Sequence, residues 1–392
     1  MSRYSNLFLI LLVLVFFNLT SFGQNKDTLA EAERLYLRKQ YMEALSVYQK
    51  LLNETSDTTT RTRIIFNLGS IYRELKQYDK SIEIFRQILE TRNDNQTVNS
   101  NAIQMYRGYQ ARAQWEIGNS LFTKGDYEGA LTAYHTIREK YPYFLVDCTG
   151  AQWHELILRE AVSLEHLKRY REAINTYFQL NHPRIVELYE ANGQLADLKA
   201  ILAKKNEPLV AEWQKKYAWT REKALEELPT RRLYEFIEIY DLEKAGNITA
   251  LMNLARRHSK NDDRQKRKII VEMLARHPSQ SVQLANAVLR TEDYSPYLFY
   301  QVMGRAGTVE AVAILEERAE KVIDYDEARF LVEALSFAGE LGGQTLEKLE
   351  QKNLSRNMEY MLQRYKKGDL SNELVEKIRF PPVPNVKLPI DL

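Results

Sequence analysis

The sequence predicts an all-α protein built as a solenoid of helical hairpins. Apolar residues recur three and four positions apart over most of the 392 residues, which is the period of an amphipathic helix. No stretch alternates apolar and polar residues in the manner of a half-buried strand. Four segments between residues 32 and 180 superimpose on one another. Repetition of a two-helix unit is typical of a solenoid, in which each unit buries its apolar face against its neighbours.

The first residues have the organisation of a secretory signal peptide. Arg3 and the amino terminus provide positive charge, the run from Leu7 to Phe17 is apolar, and the small residues Ser21 and Gly23 precede a cleavage point. The apolar run is shorter than the roughly 20 residues that cross a bilayer. We expect residues 1–23 to be removed on export, a buried N-terminal helix being the alternative.

Cysteine usage indicates the compartment. Cys148 is the only cysteine, so no internal disulfide can form, although a secreted eukaryotic domain would usually carry several. The signal region has no cysteine, so no lipid anchor is predicted, and no later segment is apolar enough to span a membrane. The sequence therefore predicts a soluble protein in the periplasm of a Gram-negative bacterium, with secretion as the alternative.

The four repeated segments, residues 32–52, 68–89, 117–137 and 161–180, share small and aromatic residues at fixed places. In the first helix a small residue precedes a large apolar one by three positions: Ala32 and Leu35, Gly69 and Tyr72, Gly118 and Leu121, Ala161 and Leu164. The second helix opens with an aromatic residue, Tyr41, Tyr78, Tyr127 or Tyr170. A small residue follows at Ala44, Ser81, Ala130 or Ala173, and then an aromatic at Tyr48, Phe85, Tyr134 or Tyr177.

This spacing suits the packing of helical pairs. Residues three or four apart share one face of a helix, so the small residues let two antiparallel helices approach while the aromatics fill the space between hairpins. Gly125 is expected to form the turn of the third unit, and Pro142 to end that unit.

These residues resemble the tetratricopeptide repeat, best matched from Trp115 through Pro142. The resemblance implies a TPR-like domain over residues 24–181. The small second-helix positions 44, 81, 130 and 173 are 37, 49 and 43 residues apart, whereas the family repeats at about 34. Inserted residues such as 92–101 must absorb the excess.

The resemblance also implies a groove lined by the first helices, which would bind a protein or an extended peptide. Each first helix contributes three groove residues. The second lies three positions after the first, and the third lies seven positions after the first. On this pattern the groove residues are Arg63, Phe66, Ser70 and the adjoining Arg73, then Arg112, Trp115 and Asn119, and then Glu155, Leu158 and Val162. The alternative is that the two aromatics pack internally and the arginines are solvated.

Helical periodicity continues over residues 182–379, which form a predicted second domain. Gly246, Gly307 and Gly339 each separate two amphipathic segments and are expected to form turns. Two hairpins within residues 295–355 are similar to HEAT-type repeats. Four prolines between residues 380 and 392 predict an extended tail.

The sequence offers no catalytic residue, cofactor site or metal site. A phosphate-binding loop, a nucleophile elbow and a zinc spacing are all absent. The pairs His154–Glu155 and Glu165–His166 are more typical of surface polarity than of a metal site. The basic run 256–268 is interrupted by two aspartates and is interpreted as a solvated linker, and the net charge of +2 gives no reason to expect nucleic acid as a partner.

The predicted function is that of an exported, non-enzymatic adaptor that holds another protein in the groove of its repeats. The alternative is a carbohydrate- or peptidoglycan-related enzyme, or a binding accessory, in the cell envelope.

Overall fold

The computed structural model describes residues 28–90, 100–142, 151–258, 264–291, 296–368 and 380–392. The chain forms two compact units, residues 1–180 and 181–392, so their division lies one residue from the predicted domain boundary. The described residues are helical repeats throughout and contain no strand, which confirms the predicted fold class. None of the described helices combines the length and apolarity required to cross a bilayer.

Unit 1 consists of four hairpins. Its helices are α1 (28–37), α2 (Tyr41–Glu54), α3 (Thr58–Glu74), α4 (Tyr78–Glu90), α5 (Ser100–Lys124), α6 (Tyr127–Lys140), α7 (Ala151–His166) and α8 (Tyr170–Gln179). The second helix of each hairpin begins at its predicted tyrosine. Side chains cap some of the starts: the carboxylate of Asp126 accepts from the backbone N–H of Gly129 at 2.9 Å, satisfying one of the unpaired donors of α6.

Most of the predicted packing residues of unit 1 lie in its core, whereas Tyr72, Tyr78, Tyr127 and Tyr170 are half-buried. Ala32, Ala44, Ser81, Ala130, Ala161 and Ala173 are buried, as are Tyr48, Phe85, Tyr134 and Tyr177. The first-helix glycines, Gly69 and Gly118, each lie against an aromatic ring of the second helix. A Cβ built on Gly69 would lie 2.8 Å from the ring of Phe85, and one on Gly118 would lie 2.6 Å from Cε1 of Tyr134. Small first-helix residues therefore admit the second-helix aromatics, as the repeat pattern predicts.

All four hairpins turn in the same way, two residues before the opening tyrosine. Gly125 has φ of 91°, as expected, but the equivalent residues of the other hairpins are Lys39, Lys76 and Lys168, with φ of 61°, 59° and 61°. Each turn pairs the next backbone N–H with a carbonyl five residues earlier, as from Gln77 to Tyr72 at 2.8 Å. This is the Schellman arrangement, in which a left-handed residue closes the helix.

Unit 2 is also built of antiparallel helices. They are α9 (Arg184–Ala191), α10 (Leu195–Tyr217), α11 (Arg221–Glu226), α12 (Arg231–Lys244), α13 (Ile248–His258), α14 (Arg264–Ala275), α15 (Pro278–Leu289), α16 (Tyr297–Ala306), α17 (Val309–Lys321), α18 (Tyr325–Phe337), α19 (Gly339–Leu349) and α20 (Arg356–Lys366). Gly246, Gly307 and Gly339 stand at helix junctions with φ between 60° and 65°, which confirms the three predicted turns.

The segment predicted to resemble HEAT repeats forms two hairpins, α16 with α17 and α18 with α19. Gly304 of α16 lies against the carbonyl of Ala334 in α18, where a Cβ would clash with backbone. Gly342 lies in the same relation to the carbonyl of Leu335. Glycine at these two positions lets the helices approach backbone to backbone.

Residues 380–392 contain no helix, which agrees with the extended tail predicted from their prolines. Several other predictions fall outside the described residues. These are the signal peptide 1–23, Cys148 and most of the insertion 92–101.

Candidate protein-binding groove

Ion pairs link the first helices of successive hairpins. Arg63 of α3 reaches Glu33 of α1, with Nη2 and Oε1 2.5 Å apart. Arg73, near the end of α3, forms an ion pair with Glu116 of α5. The first helices therefore lie side by side, as the predicted groove requires.

The first position of each groove triplet is accessible. The side chain of Arg63 is half exposed, and Arg112 is exposed. Glu155 of α7 is partly exposed and is held by Arg159, with Oε1 and Nη2 2.8 Å apart. These three residues stand at or near the start of the part of each first helix that the second helix covers.

The middle position of each triplet is partly buried. The ring of Phe66 contacts Phe85 and Tyr109 edge to face, with centroids 5.3 and 5.8 Å apart. The indole of Trp115 packs on the ring of Tyr134 at 6.0 Å, and Leu158 is also half-buried. The two aromatics thus contribute to inter-helix packing, the alternative that the sequence left open, while part of each surface stays accessible.

The third position is buried in all three helices, so the prediction that Ser70, Asn119 and Val162 line an open groove is wrong. Ser70 donates to the carbonyl of Phe66 at 3.0 Å, a bond within its own helix. Asn119 accepts from the hydroxyl of Tyr134 at 3.3 Å. Val162 is fully buried.

Arg73 also differs from its prediction. Its guanidinium contacts both Glu116 and Glu74, so its charge is neutralised within the repeats rather than offered to a partner. Asn119 Nδ2 lies 3.5 Å from Glu116 as well. Glu116, which contacts both Arg73 and Asn119, was not among the predicted site residues.

The third positions are buried because each directly follows the small residue on which the second helix packs. Ser70, Asn119 and Val162 come after Gly69, Gly118 and Ala161. The rings of Phe85 and Tyr134 pack on the two glycines. The first two positions of each triplet lie further from this contact and keep accessible surface.

The second histidine–glutamate pair, Glu165 and His166, has a structural role. The ring of His166 stacks on Tyr127 with centroids 4.0 Å apart. Glu165 is buried and accepts from the hydroxyl of Tyr177 at 2.8 Å. Within the described ranges, no three histidine, cysteine or acidic side chains are grouped so as to hold a metal ion.

One buried carboxylate in unit 1 is electrostatically unusual. The side chain of Glu160 is 3% exposed, and Arg138 donates to its Oε2 at 3.0 Å. His135 Nε2 lies 3.7 Å from Oε1, which has no hydrogen-bond partner among the described residues. Burial raises the pKa of Glu160, and the nearby Arg138 and His135 oppose that rise.

The basic run 256–268 is less solvated than expected. Lys266 is buried in α14 and forms an ion pair with Glu235 of α12. The prediction of a solvated linker is therefore wrong for this lysine, because a helix packs it against another. Residues 259–263 of the run lie outside the described residues.

Comparison with known proteins identifies the repeats. Residues 62–95 and residues 112–142 each match the tetratricopeptide repeat. These ranges contain most of α3 with α4 and about half of α5 with α6, the two hairpins that carry Arg63 and Arg112. No curated protein sequence matches the chain. The N-terminal half of this chain therefore contains tetratricopeptide repeats.

Proposed function

We propose that the N-terminal repeats hold another protein through accessible side chains of their first helices. We define this surface, the first-helix strip, as Arg63, Phe66, Arg112, Trp115, Glu155 and Leu158. The tetratricopeptide repeat is a protein-interaction module, and α3 and α5 belong to the two hairpins that match it. The strip omits the buried residues of the predicted groove.

The proposal depends mainly on Arg112. It is exposed, and it forms no ion pair or hydrogen bond with the rest of the described chain, unlike Arg63 and Arg73. Trp115 lies one turn further along the same helix and keeps part of its surface accessible. A guanidinium beside an aromatic surface suits a partner that presents a carboxylate next to an apolar side chain.

We propose that the protein is an adaptor that works outside the cytoplasm. The charged start, apolar run and small residues of segment 1–23 support export. We place it in the periplasm because the single cysteine suits a protein that needs no disulfide.

Site-specific photocrosslinking in the native organism tests the strip. A photoreactive amino acid replaces Gly108 in one variant and Arg86 in the control. Gly108 lies one turn before Arg112 in α5, and a Cβ there meets no described atom within 4 Å, so Arg112 itself is kept. Arg86 is an exposed residue of the second helix α4. We expect a crosslinked product of discrete mass from position 108 and none from position 86. Equal products from both positions, or none from either, would refute the strip.

Charge reversal provides a second test on the partner identified in this way. Arg112→Glu combined with Trp115→Ala should lower the affinity for that partner at least tenfold, whereas Arg86→Glu should leave it unchanged. Far-UV circular dichroism should show equal helical content in both variants. Unchanged binding by a folded double variant would contradict the proposal.

A further inference from the structure

The C-terminal tail lies along α9 of its own unit and is held mainly through its backbone. Gln194 pairs with both backbone groups of Leu388: its Oε1 accepts from the N–H at 2.7 Å, and its Nε2 donates to the carbonyl at 3.3 Å. Asn192 Oδ1 accepts from the N–H of Val386 at 2.9 Å. The hydroxyl of Tyr189 donates to the carbonyl of Pro389.

The turn after α9 places these side chains in register with an extended chain. Gly193 has φ of 69°, and the backbone N–H of Gln194 donates to the carbonyl of Tyr189 at 2.7 Å, which closes the helix. Asn192 and Gln194 are two residues apart and bind tail residues that are also two apart. Alternate residues of an extended chain present equivalent backbone groups, so the two side chains act like the edge of a strand.

The other end of the tail is held by a buried cation. Arg184 Nη2 donates to the carbonyl of Pro381 at 2.5 Å, and its guanidinium lies over the ring of Phe380 at 5.2 Å. Glu187 pairs with the same guanidinium at 3.0 Å. Residues Arg184, Tyr189, Asn192 and Gln194 therefore form one continuous feature, which we term the tail seat.

Few side chains of the tail pack against the unit, whereas its backbone is bonded at residues 381, 386, 388 and 389. The ring of Phe380 lies beside His182, with centroids 5.5 Å apart. Leu388 is 2% exposed and is the one buried apolar anchor between residues 380 and 392. Val386 and Ile390 on either side are 36% and 56% exposed. A segment whose role was to complete a core would bury more of its apolar side chains. Backbone bonds with few anchoring side chains are instead typical of a site that binds peptides.

We propose that the tail seat is a peptide-binding site, distinct from the first-helix strip, and that residues 380–392 fill it as an internal competitor. Its ligand is an extended segment of another polypeptide in which an apolar residue precedes a proline, as Leu388 precedes Pro389. The backbone bonds accept any extended chain, the buried leucine site selects the apolar residue, and proline favours the extended conformation.

Binding of the free tail peptide to the full chain tests this proposal. A fluorescent peptide of residues 380–392 is titrated with the wild-type chain and with Leu388→Asp, which places a charge at the anchor. The attached tail competes at an effective concentration in the millimolar range. We therefore expect Leu388→Asp to bind the peptide at least tenfold more tightly than the wild type does.

Three controls separate a binding site from a purely structural contact. Val386→Asp changes a more exposed tail residue and should bind the peptide as weakly as the wild type. Adding Gln194→Ala to Leu388→Asp should weaken the binding of the tail peptide at least tenfold. A scrambled peptide that separates leucine from proline should not bind. Binding of the scrambled peptide equal to that of the tail peptide would overturn the proposed ligand.

A folded Leu388→Asp chain that binds the tail peptide no more tightly than the wild type would overturn the binding site itself. If this variant loses helical circular dichroism, Leu388→Ala is used in its place. That variant weakens the anchor without burying a charge and should still bind the peptide more tightly than the wild type. Affinity equal to the wild type's in the folded alanine variant would reject the proposal.

Discussion

Gly118 and Tyr134 meet so closely that the ring occupies the space where any other residue would place its Cβ. Tyr134 is fully buried, and its hydroxyl donates to Asn119, the residue next to Gly118. The ring of Tyr134 is therefore held by its packing on Gly118 and by its hydrogen bond to Asn119. The contact joins the two helices of the third hairpin, α5 and α6, at their closest approach.

Gly118→Ala should therefore destabilise unit 1. The added methyl group forces the ring or the helices apart, and overpacking of this kind costs about 1–3 kcal/mol. Gly108→Ala is the control in the same helix, since a Cβ there meets no described atom within 4 Å. That change should stabilise the helix by up to about 1 kcal/mol. Urea unfolding followed by circular dichroism measures both, and equal effects would contradict the packing described.

Lys76→Gly should stabilise the second hairpin. A lysine in the left-handed region costs about 1–2 kcal/mol, part of which is offset by the greater freedom of glycine in the unfolded chain. The expected net gain is up to about 1 kcal/mol. Lys50→Gly, in the interior of α2, should instead lose about 1 kcal/mol. A loss of stability at both positions would show that the side chain of Lys76 contributes more than its backbone costs.

Replacing either of two adjacent glycines in α19 with alanine should change the stability of the protein, but in opposite directions. Gly342→Ala drives a methyl group into the carbonyl of Leu335, and because that atom belongs to the backbone we expect a loss of about 3 kcal/mol. Gly343→Ala meets no described atom within 4 Å and should gain up to about 1 kcal/mol. Differential scanning calorimetry of the two full-length variants provides the comparison. A stable Gly342→Ala variant would show that α18 and α19 can separate without cost.

Glu160 should make stability depend on pH. Because burial raises its pKa in the folded state, the folded protein binds the proton more tightly than the unfolded chain does. The free energy of unfolding therefore falls as the pH rises above 4.5, the ordinary value for this carboxyl. Glu160→Gln removes the titration, so its Tm relative to the wild type should increase between pH 4.5 and pH 7. A constant difference in Tm would contradict this assignment.

The proposed export predicts a defined amino terminus. Protein purified from the native organism should begin at Gln24, because cleavage follows the small residues Ser21 and Gly23. Intact-mass spectrometry measures this directly. Replacing Gly23 with a bulky residue such as tryptophan should block cleavage and leave the precursor. An amino terminus at Met1 in the wild-type protein would exclude the signal peptide.

The sequence predicts the hairpins well because their signals are local. The tyrosines that open the second helices, the buried small residues and the turn glycines all lie within the hairpin whose contacts they determine. The lysine turns escaped prediction for the opposite reason. Nothing about Lys39 or Lys168 alone favours a left-handed backbone, and the Schellman bonds of the hairpin impose it.

The groove was predicted less well because accessibility depends on neighbouring helices. The family pattern assigns three positions to one face of each first helix, but the place where the second helix packs decides which of them stay accessible. Ser70 and Val162 were assigned to an open surface for this reason. The tail seat gave no local signal, since Gln194 and Leu388 are 194 residues apart.

That separation has a consequence for biosynthesis. The hairpins of unit 1 can form one after another as the chain leaves the ribosome, since each depends on residues close in sequence. The α9 region must wait until residues 386–389 have been translated, because Tyr189 and Pro389 are 200 residues apart. Throughout that interval, the side-chain amide oxygens of Asn192 and Gln194 are open to water or to any other chain nearby.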